Sequence, residues 1–280
     1  MPDIVDFIVI GAMKSGTNWL YRVLQLHPEV NPCRIKEPNF FLETGVLGGT
    51  WGQGPVWYNE LFERQSGLRG EASTGYTKYP TGRGVPARIK SVASNAKFIY
   101  LVREPVDRAI SHYIHNVLRE REQRSIEDAL LRAKKSGYIE VGLYYTQLEQ
   151  YLEHFPAERF CVITSEALWK SNRPLASIAD FLGIGRSSME MQRLQPTNTT
   201  AAQLARFMQA RPDAKNDAQK LLAEAIQTPS LSQKITAREI GALLGLGPEQ
   251  RALLRGHFLA DTQRLENFIG RTLDEWKPSI

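Results

Sequence analysis

The chain has 280 residues, 42% of them hydrophobic and 23% charged, a globular composition that excludes a fibrous or disordered chain and fits a single domain over 1–280. Its 35 Lys and Arg against 30 Asp and Glu leave +5, which suits a polyanionic ligand or a solvated basic face alike; without recognition-helix, zinc-finger or aromatic-basic patterning, nucleic acid is not an expected partner. Two cysteines, Cys33 and Cys161, exclude a disulfide framework, and the N-terminus reads as neither signal peptide nor transmembrane segment, which predicts a cytoplasmic location.

Phe7-Ile8-Val9-Ile10 is short, β-branched and closed by Gly11, the pattern of a buried parallel strand. Trp19, Leu20, Val23, Leu24 and Leu26 then recur at helical spacing until His27-Pro28 ends the run. Five glycines between Gly45 and Gly54, with Trp51, Trp57 and Tyr58 beside them, mark a loop whose aromatic rings either stack on a substrate or anchor the loop to the core. Lys97 to Arg103 repeats the strand grammar, and Pro105, Val106, Ile110 and Tyr113 open a helix, since proline is tolerated in a first turn. A further strand is expected at Phe160-Cys161-Val162-Ile163, between helices carrying Leu148 and Tyr151 and carrying Leu175, Ile178 and Leu182, the latter stopped by Gly183. Residues 186–250 read as a less regular helical insertion or substrate lid, with helices expected at Ala201 to Met208 and Ala218 to Ile226. Periodicity returns in Leu253, Leu254, Phe258, Leu265, Phe268 and Ile269, with Gly270 as the stop. Alternating strands and helices predict an α/β fold, a three-layer P-loop-like arrangement of a mainly parallel sheet flanked by helices.

Gly11-Ala12-Met13-Lys14-Ser15-Gly16-Thr17-Asn18 keeps the glycine spacing of a Walker A loop, but Thr17-Asn18 stands where Lys-Ser/Thr is required. Lys14 lies inside the loop instead, which disfavours an ATP-dependent phosphotransferase. Backbone N–H groups, the Ser15 and Thr17 hydroxyls and the helix dipole still make a phosphate cradle, and Lys14 is placed to meet charge that develops on a departing phosphate. A structural glycine turn with a solvent lysine is the plain alternative. This segment resembles the 5′-phosphosulfate loop of sulfotransferases that use 3′-phosphoadenosine 5′-phosphosulfate (PAPS). The resemblance gives Lys14 the contact with the phosphosulfate and makes Ser15, Gly16, Thr17 and Asn18 the rest of the cradle.

Arg103 and Ser111, a strand end and a position two helical turns on, offer a guanidinium fork and a hydroxyl to a second phosphate. Arg103 pairing with Glu104 or Asp107, and Ser111 as a packing residue, is the competing reading. The stretch Arg103 to Tyr113 resembles the family's 3′-phosphate motif, whose arginine and serine match Arg103 and Ser111. Both motifs together imply PAPS as co-substrate and 3′-phosphoadenosine 5′-phosphate (PAP) as product. Lys36-Glu37-Pro38-Asn39-Phe40-Phe41 resembles the carbohydrate, heparan-type branch, whose catalytic glutamate matches Glu37; a surface acid before Pro38 is the alternative. That branch often has Glu-Lys-Thr/Ser-Pro after its next strand, but here Ala72 follows Glu71, so the expectation is either that Lys36 or Lys78 supplies the missing charge or that the acceptor sits differently. Glu71 itself reads as a residue that orients a loop or a hydroxyl substrate, or as an ordinary loop acid. His112 and His115 lack a ligand partner in sequence, and no metal site is expected. The family's Lys-Gly or Arg-Gly nucleotide-closing element is missing, with Arg193 and Lys215 the available cations. The resemblance therefore implies transfer of sulfonate to a hydroxyl or amine of a carbohydrate, lipid or small metabolite; a non-catalytic nucleotide-binding protein would keep both phosphate motifs without transferring sulfonate.

Overall fold

A computed structural model describes residues 3–63, 66–133, 136–186 and 236–277. The expected helices at Ala201 to Met208 and Ala218 to Ile226, and the cations Arg193 and Lys215, lie outside the described residues. The chain divides into two compact units, the first being Met1–Arg103, Tyr144–Gln195 and Arg264–Ile280, the second Glu104–Leu143 and Pro196–Gln263.

The first unit holds a parallel five-stranded sheet of β1 (Phe7–Gly11), β2 (Val30–Pro32), β3 (Leu68–Ala72), β4 (Lys97–Val102) and β5 (Phe160–Thr164), in the order β2-β3-β1-β4-β5. The alternation of strand side chains builds two cores. Ile8, Ile10, Phe98, Tyr100 and Val102 join the cluster that contains Val85 and Ile89 of α3 (Val85–Val92) and Tyr144 and Tyr151 of α6 (Tyr144–Leu152). Phe7, Val9, Ile99 and Leu101 join Leu20, Val23 and Leu24 of α1 (Thr17–Gln25), Leu168 of α7 (Ser165–Lys170) and Ile178 of α8 (Arg173–Leu182). Both sheet faces are thus covered, which is why the strand sequences are continuous apolar runs.

Strands β2 and β3 escape a periodicity reading. The first has three residues, and the second, Leu-Arg-Gly-Glu-Ala, interrupts its apolar pattern. Gly70 is small because a Cβ there would meet the Phe7 ring at 2.0 Å. The glycine-rich loop leads through a short turn at Trp51–Gln53 into α2 (Gly54–Asn59). Trp51 and Trp57 pack against the core, and the fully buried Tyr58 stacks on Phe40 with centroids 4.3 Å apart. These rings anchor the loop.

The second unit packs α4 (Pro105–Leu118), a π-helical turn (Asp128–Arg132), α5 (Gly137–Glu140), α9 (Ala237–Leu243) and residues of α10 (Pro248–Ile269) around Ile110, Tyr113, Leu130, Tyr138, Ile240 and Phe258. Glu104 caps α4 by accepting the Asp107 N–H at 2.7 Å, and the acid count at this positive helix end is favourable. Arg251, 8% exposed at its side chain, reaches Asp107 at 2.6 Å and Glu104 at 3.6 Å. His112 packs edge-on against Tyr138, with its Nδ1 at 3.5 Å from Arg108, so it is a packing residue. Among the described residues no helix is long and apolar enough to cross a membrane.

Candidate active site

In the order β2-β3-β1-β4-β5 the chain leaves β1 toward β2 on one side and later passes to β4 on the other. The carboxyl ends of β1 and β4 therefore flank a topological switch point, where open α/β sheets bind ligands. The loop 12–16 leaves β1 there. Ala12 N–H is held by Leu101 carbonyl at 2.5 Å, and the Ser165 hydroxyl donates to the Ser15 carbonyl at 2.5 Å. Lys14 sits at φ 72° and Gly16 at φ 95°. The first is a left-handed conformation rare for a side-chain-bearing residue, the kind of strain that concentrates at functional sites.

Gly16 is the N-cap of α1 and offers no side chain to its first turn, which also contains no acid. Helix-start N–H groups and the positive dipole end are thus open to an anion. The Ser15 hydroxyl is 1% exposed and has no partner among the described residues. A phosphate oxygen supplies the acceptor that this buried group lacks, so the residues present fit a phosphate ligand. Thr17 is buried at the same helix start, whereas Asn18 faces outward.

Arg103 follows β4. Its backbone is clamped by Tyr144, whose hydroxyl donates to the Arg103 carbonyl at 2.7 Å and accepts its N–H at 3.3 Å. Its Nη1 donates to the Lys14 carbonyl at 3.4 Å, so the guanidinium lies beside the loop. The expected competitors for it are engaged otherwise, Glu104 and Asp107 both facing Arg251. Ser111 is buried in the second turn of α4, within the second unit.

Glu37 lies at the end of β3, next to β1: its N–H donates to the Ala72 carbonyl at 2.9 Å. Its φ is 60°. One carboxylate oxygen accepts the Thr74 N–H at 2.7 Å, the Thr74 hydroxyl stands 3.2 Å from each oxygen, and Lys36 Nζ is 2.5 Å from the other. The side chain is one-third exposed. Lys36 therefore brings a cation to Glu37. Ala72 itself packs in the cluster that holds Leu20, Val23 and Leu24 of α1.

Glu71 is buried beneath this loop. Its Oε1 accepts the hydroxyls of Tyr58 at 2.9 Å and Tyr76 at 2.8 Å, and its Oε2 accepts that of Ser73 at 2.7 Å. Burial pushes its carboxyl up from 4.5 to about 7, against the three hydroxyl donors that favour the anion, and the nearby Glu37 charge adds to the rise. Burial likewise pushes the Cys33 thiol up to about 12, so it is a small buried side chain with no thiolate to offer. Thr74, Ser165, Tyr144 and Ser73 escaped a sequence reading because each meets its partner across long separations or through a backbone atom. The only local signal was Ser73 and Tyr76 following Glu71 at two and five residues.

A family model described as "Sulfotransferase domain" matches residues 5–216. The chain is similar to heparan sulfate glucosamine 3-O-sulfotransferase 3B1 of Mus musculus, 33% identical over 188 residues that make up 64% of this chain and 46% of that protein. It is 36% identical over 113 residues to membrane-associated sulfotransferase kil1 of Dictyostelium discoideum, covering 39% of this chain and 22% of that one. The chain thus spans less than half the length of these two curated relatives. The crystal structure of a sulfotransferase from Alicyclobacillus acidocaldarius superposes with a TM-score of 0.67 at 26% identity, covering 98% of this chain and 99% of that one.

Proposed function

The chain belongs to the sulfotransferase domain family, and from that premise we propose that it transfers sulfonate from PAPS to a hydroxyl or amine of a carbohydrate acceptor. The observation that carries the proposal is the buried, unpartnered Ser15 hydroxyl at the uncapped start of α1, with the Arg103 guanidinium against the same loop. When bound, PAPS supplies the sulfonate as electrophile and departs as PAP.

The chain's own groups take the following roles. Lys14, Ser15, Gly16, Thr17 and Asn18 hold the 5′-phosphosulfate, with Lys14 meeting the charge that grows on the leaving phosphate. Arg103 and Ser111 hold the 3′-phosphate. Glu37 accepts the proton of the attacking hydroxyl or amine at a carboxylate oxygen; Thr74 fixes one oxygen and Lys36 the other, so the base is oriented before the acceptor arrives. Lys14 and the helix start supply the electrophilic stabilisation, which leaves a metal ion without an assigned task in this proposal. The carbohydrate acceptor is supported by the resemblance at Glu37 and by the glucosamine-directed activity that the mouse relative's name states.

The test is calorimetric titration of the wild-type chain and Arg103→Ala with PAP, with ATP and Mg²⁺ as comparison. Tight PAP binding, weak ATP binding and loss of the former in the folded variant support the assignment. Binding of ATP in preference to PAP would sink it and favour a phosphotransferase.

A further inference from the structure

Three alternate amides fix the segment that carries Glu37. Glu37 N–H donates to the Ala72 carbonyl at 2.9 Å, Asn39 N–H to Ser73 Oγ at 3.1 Å, and Phe41 N–H to the Tyr76 hydroxyl oxygen at 3.1 Å. The last two acceptors are hydroxyls, each with a single proton of its own to place. Both place that proton on Glu71. With the protons drawn inward, the hydroxyl oxygens face the 39–41 backbone as acceptors. Glu37 and Asn39 hold φ values of 60° and 52°, a conformation that persists only where its surroundings impose it.

We propose that Glu71 is the positioning residue for the catalytic glutamate: by accepting the Ser73 and Tyr76 protons it sets both hydroxyls to receive the Asn39 and Phe41 amides, and so locks the loop that presents Glu37. The functional half of this inference rests on the reading of Glu37 as the base. The carboxylate is needed for its polarity, because it only accepts. A glutamine at 71 presents an N–H₂ that donates to one of these hydroxyls. That hydroxyl's own proton then competes for a buried acceptor, and the loop amide loses its place. A protonated Glu71 has the same defect, since one oxygen becomes a donor.

A pH dependence follows. The groups facing Glu71 are Tyr58 from α2, Tyr76 from the turn after β3, Tyr21 from α1, Tyr151 from α6, Cys33 from the segment after β2, and Glu37 with its partner Lys36. The phenols and the thiol are all pushed above their ordinary values, chiefly by burial, and so keep their protons through neutrality. Glu71, at about 7, loses its proton there, so the locked loop gains population as pH rises through 7.

The experiment is amide hydrogen exchange by NMR on the wild type, Glu71→Gln, Tyr76→Phe and Ser73→Ala at pH 8, with PAP titration as the check that each variant is folded. Exchange at Asn39 or at Phe41, whichever amide's hydroxyl faces the new N–H₂, is expected to accelerate about tenfold or more in Glu71→Gln. Tyr76→Phe should accelerate Phe41 alone and Ser73→Ala Asn39 alone, while β1 amides and PAP affinity hold. Unchanged exchange at both amides in a folded Glu71→Gln overturns the inference. Should that variant not fold, the selective effects of the two hydroxyl variants decide, and their absence overturns it. With heparan sulfate as acceptor, Glu71→Gln should lower kcat about 10- to 100-fold, keep the PAPS KM, and lose the rise of kcat near pH 7. Full kcat in Glu71→Gln beside an inactive Glu37→Gln overturns the positioning role and leaves the base assignment standing. Full kcat in Glu37→Gln overturns the base assignment, and the exchange data still decide whether Glu71 holds the loop.

Discussion

Replacing Ser15 by alanine should move stability and ligand affinity in opposite directions. The hydroxyl is 1% exposed and meets no acceptor among the described residues. A buried hydroxyl without a partner costs about 1–3 kcal/mol, so its removal should stabilise the ligand-free chain by about 1 kcal/mol, the lower end because the methylene packing is kept. For a chain of this size that raises Tm by about 2–4 °C. In the proposed complex the same hydroxyl donates to a phosphate oxygen. A hydrogen bond to a charged group contributes about 1.5–3 kcal/mol, so the PAP Kd should rise about 10- to 100-fold. Differential scanning calorimetry without ligand gives the first quantity and isothermal titration with PAP the second. In saturating PAP the Tm advantage should shrink or reverse, because ligand binding adds less stability to the variant. A Ser15→Ala protein that melts below the wild type without ligand, or binds PAP with wild-type affinity, refutes the reasoning that this hydroxyl is kept for a phosphate.

Glu37→Gln should lower kcat about 10²- to 10⁴-fold with PAP affinity unchanged, read by transfer kinetics beside calorimetry. Since the Glu71 carboxyl titrates at about 7 in the folded chain against an ordinary 4.5, the folded state holds a proton there that the unfolded state has released. Stability from this group should therefore fall by roughly 3 kcal/mol as pH rises from 4.5 through 7 and level off above, and urea unfolding of Glu71→Gln should lack that slope. Arg251→Met removes the guanidinium that faces Glu104 at 3.6 Å and Asp107 at 2.6 Å and leaves Glu104 with Arg255 at 3.8 Å; urea unfolding should report a loss of about 3 kcal/mol, the lower end for a broken buried pair. Gly11→Ala places a Cβ 2.1 Å from Thr77 Oγ1, itself donating to the Ile10 carbonyl, and should cost about 1–3 kcal/mol by thermal unfolding.

The parts of the fold legible in the sequence are those where one residue pattern meets one environment. β1, β4 and β5 are read as apolar runs because both sheet faces are covered. α1 is read from Leu20, Val23 and Leu24 because one stripe of it enters the core. β2 and β3 are not, because the first is too short to alternate and the second spends Gly70 on the Phe7 ring and Glu71 on three hydroxyls. The proposed phosphate loop is legible because its residues are contiguous. Arg103 was visible as a strand-end cation, but its approach to the Lys14 carbonyl is a contact across 89 residues. Thr74 meets Glu37 through its N–H and its hydroxyl across 37 residues, a pairing that no local pattern marks. Of the two expected lysines, Lys36 adjoins Glu37 in sequence and pairs with it at 2.5 Å.

One core joins the two ends of the chain. Val5 and Ile8 share a cluster with Leu265, Leu273 and Trp276, and the tail is stitched down where Glu275 accepts the Thr164 hydroxyl at 2.8 Å and Trp276 donates to Glu166 at 3.1 Å. During synthesis the cluster against the first strand is therefore begun by Phe40, Val85, Ile89 and Tyr144 and completed only by residues more than two hundred and fifty positions after Ile8. Over that interval the nascent cluster exposes the apolar surface that Leu265, Leu273 and Trp276 come to cover, surface of the kind chaperones hold.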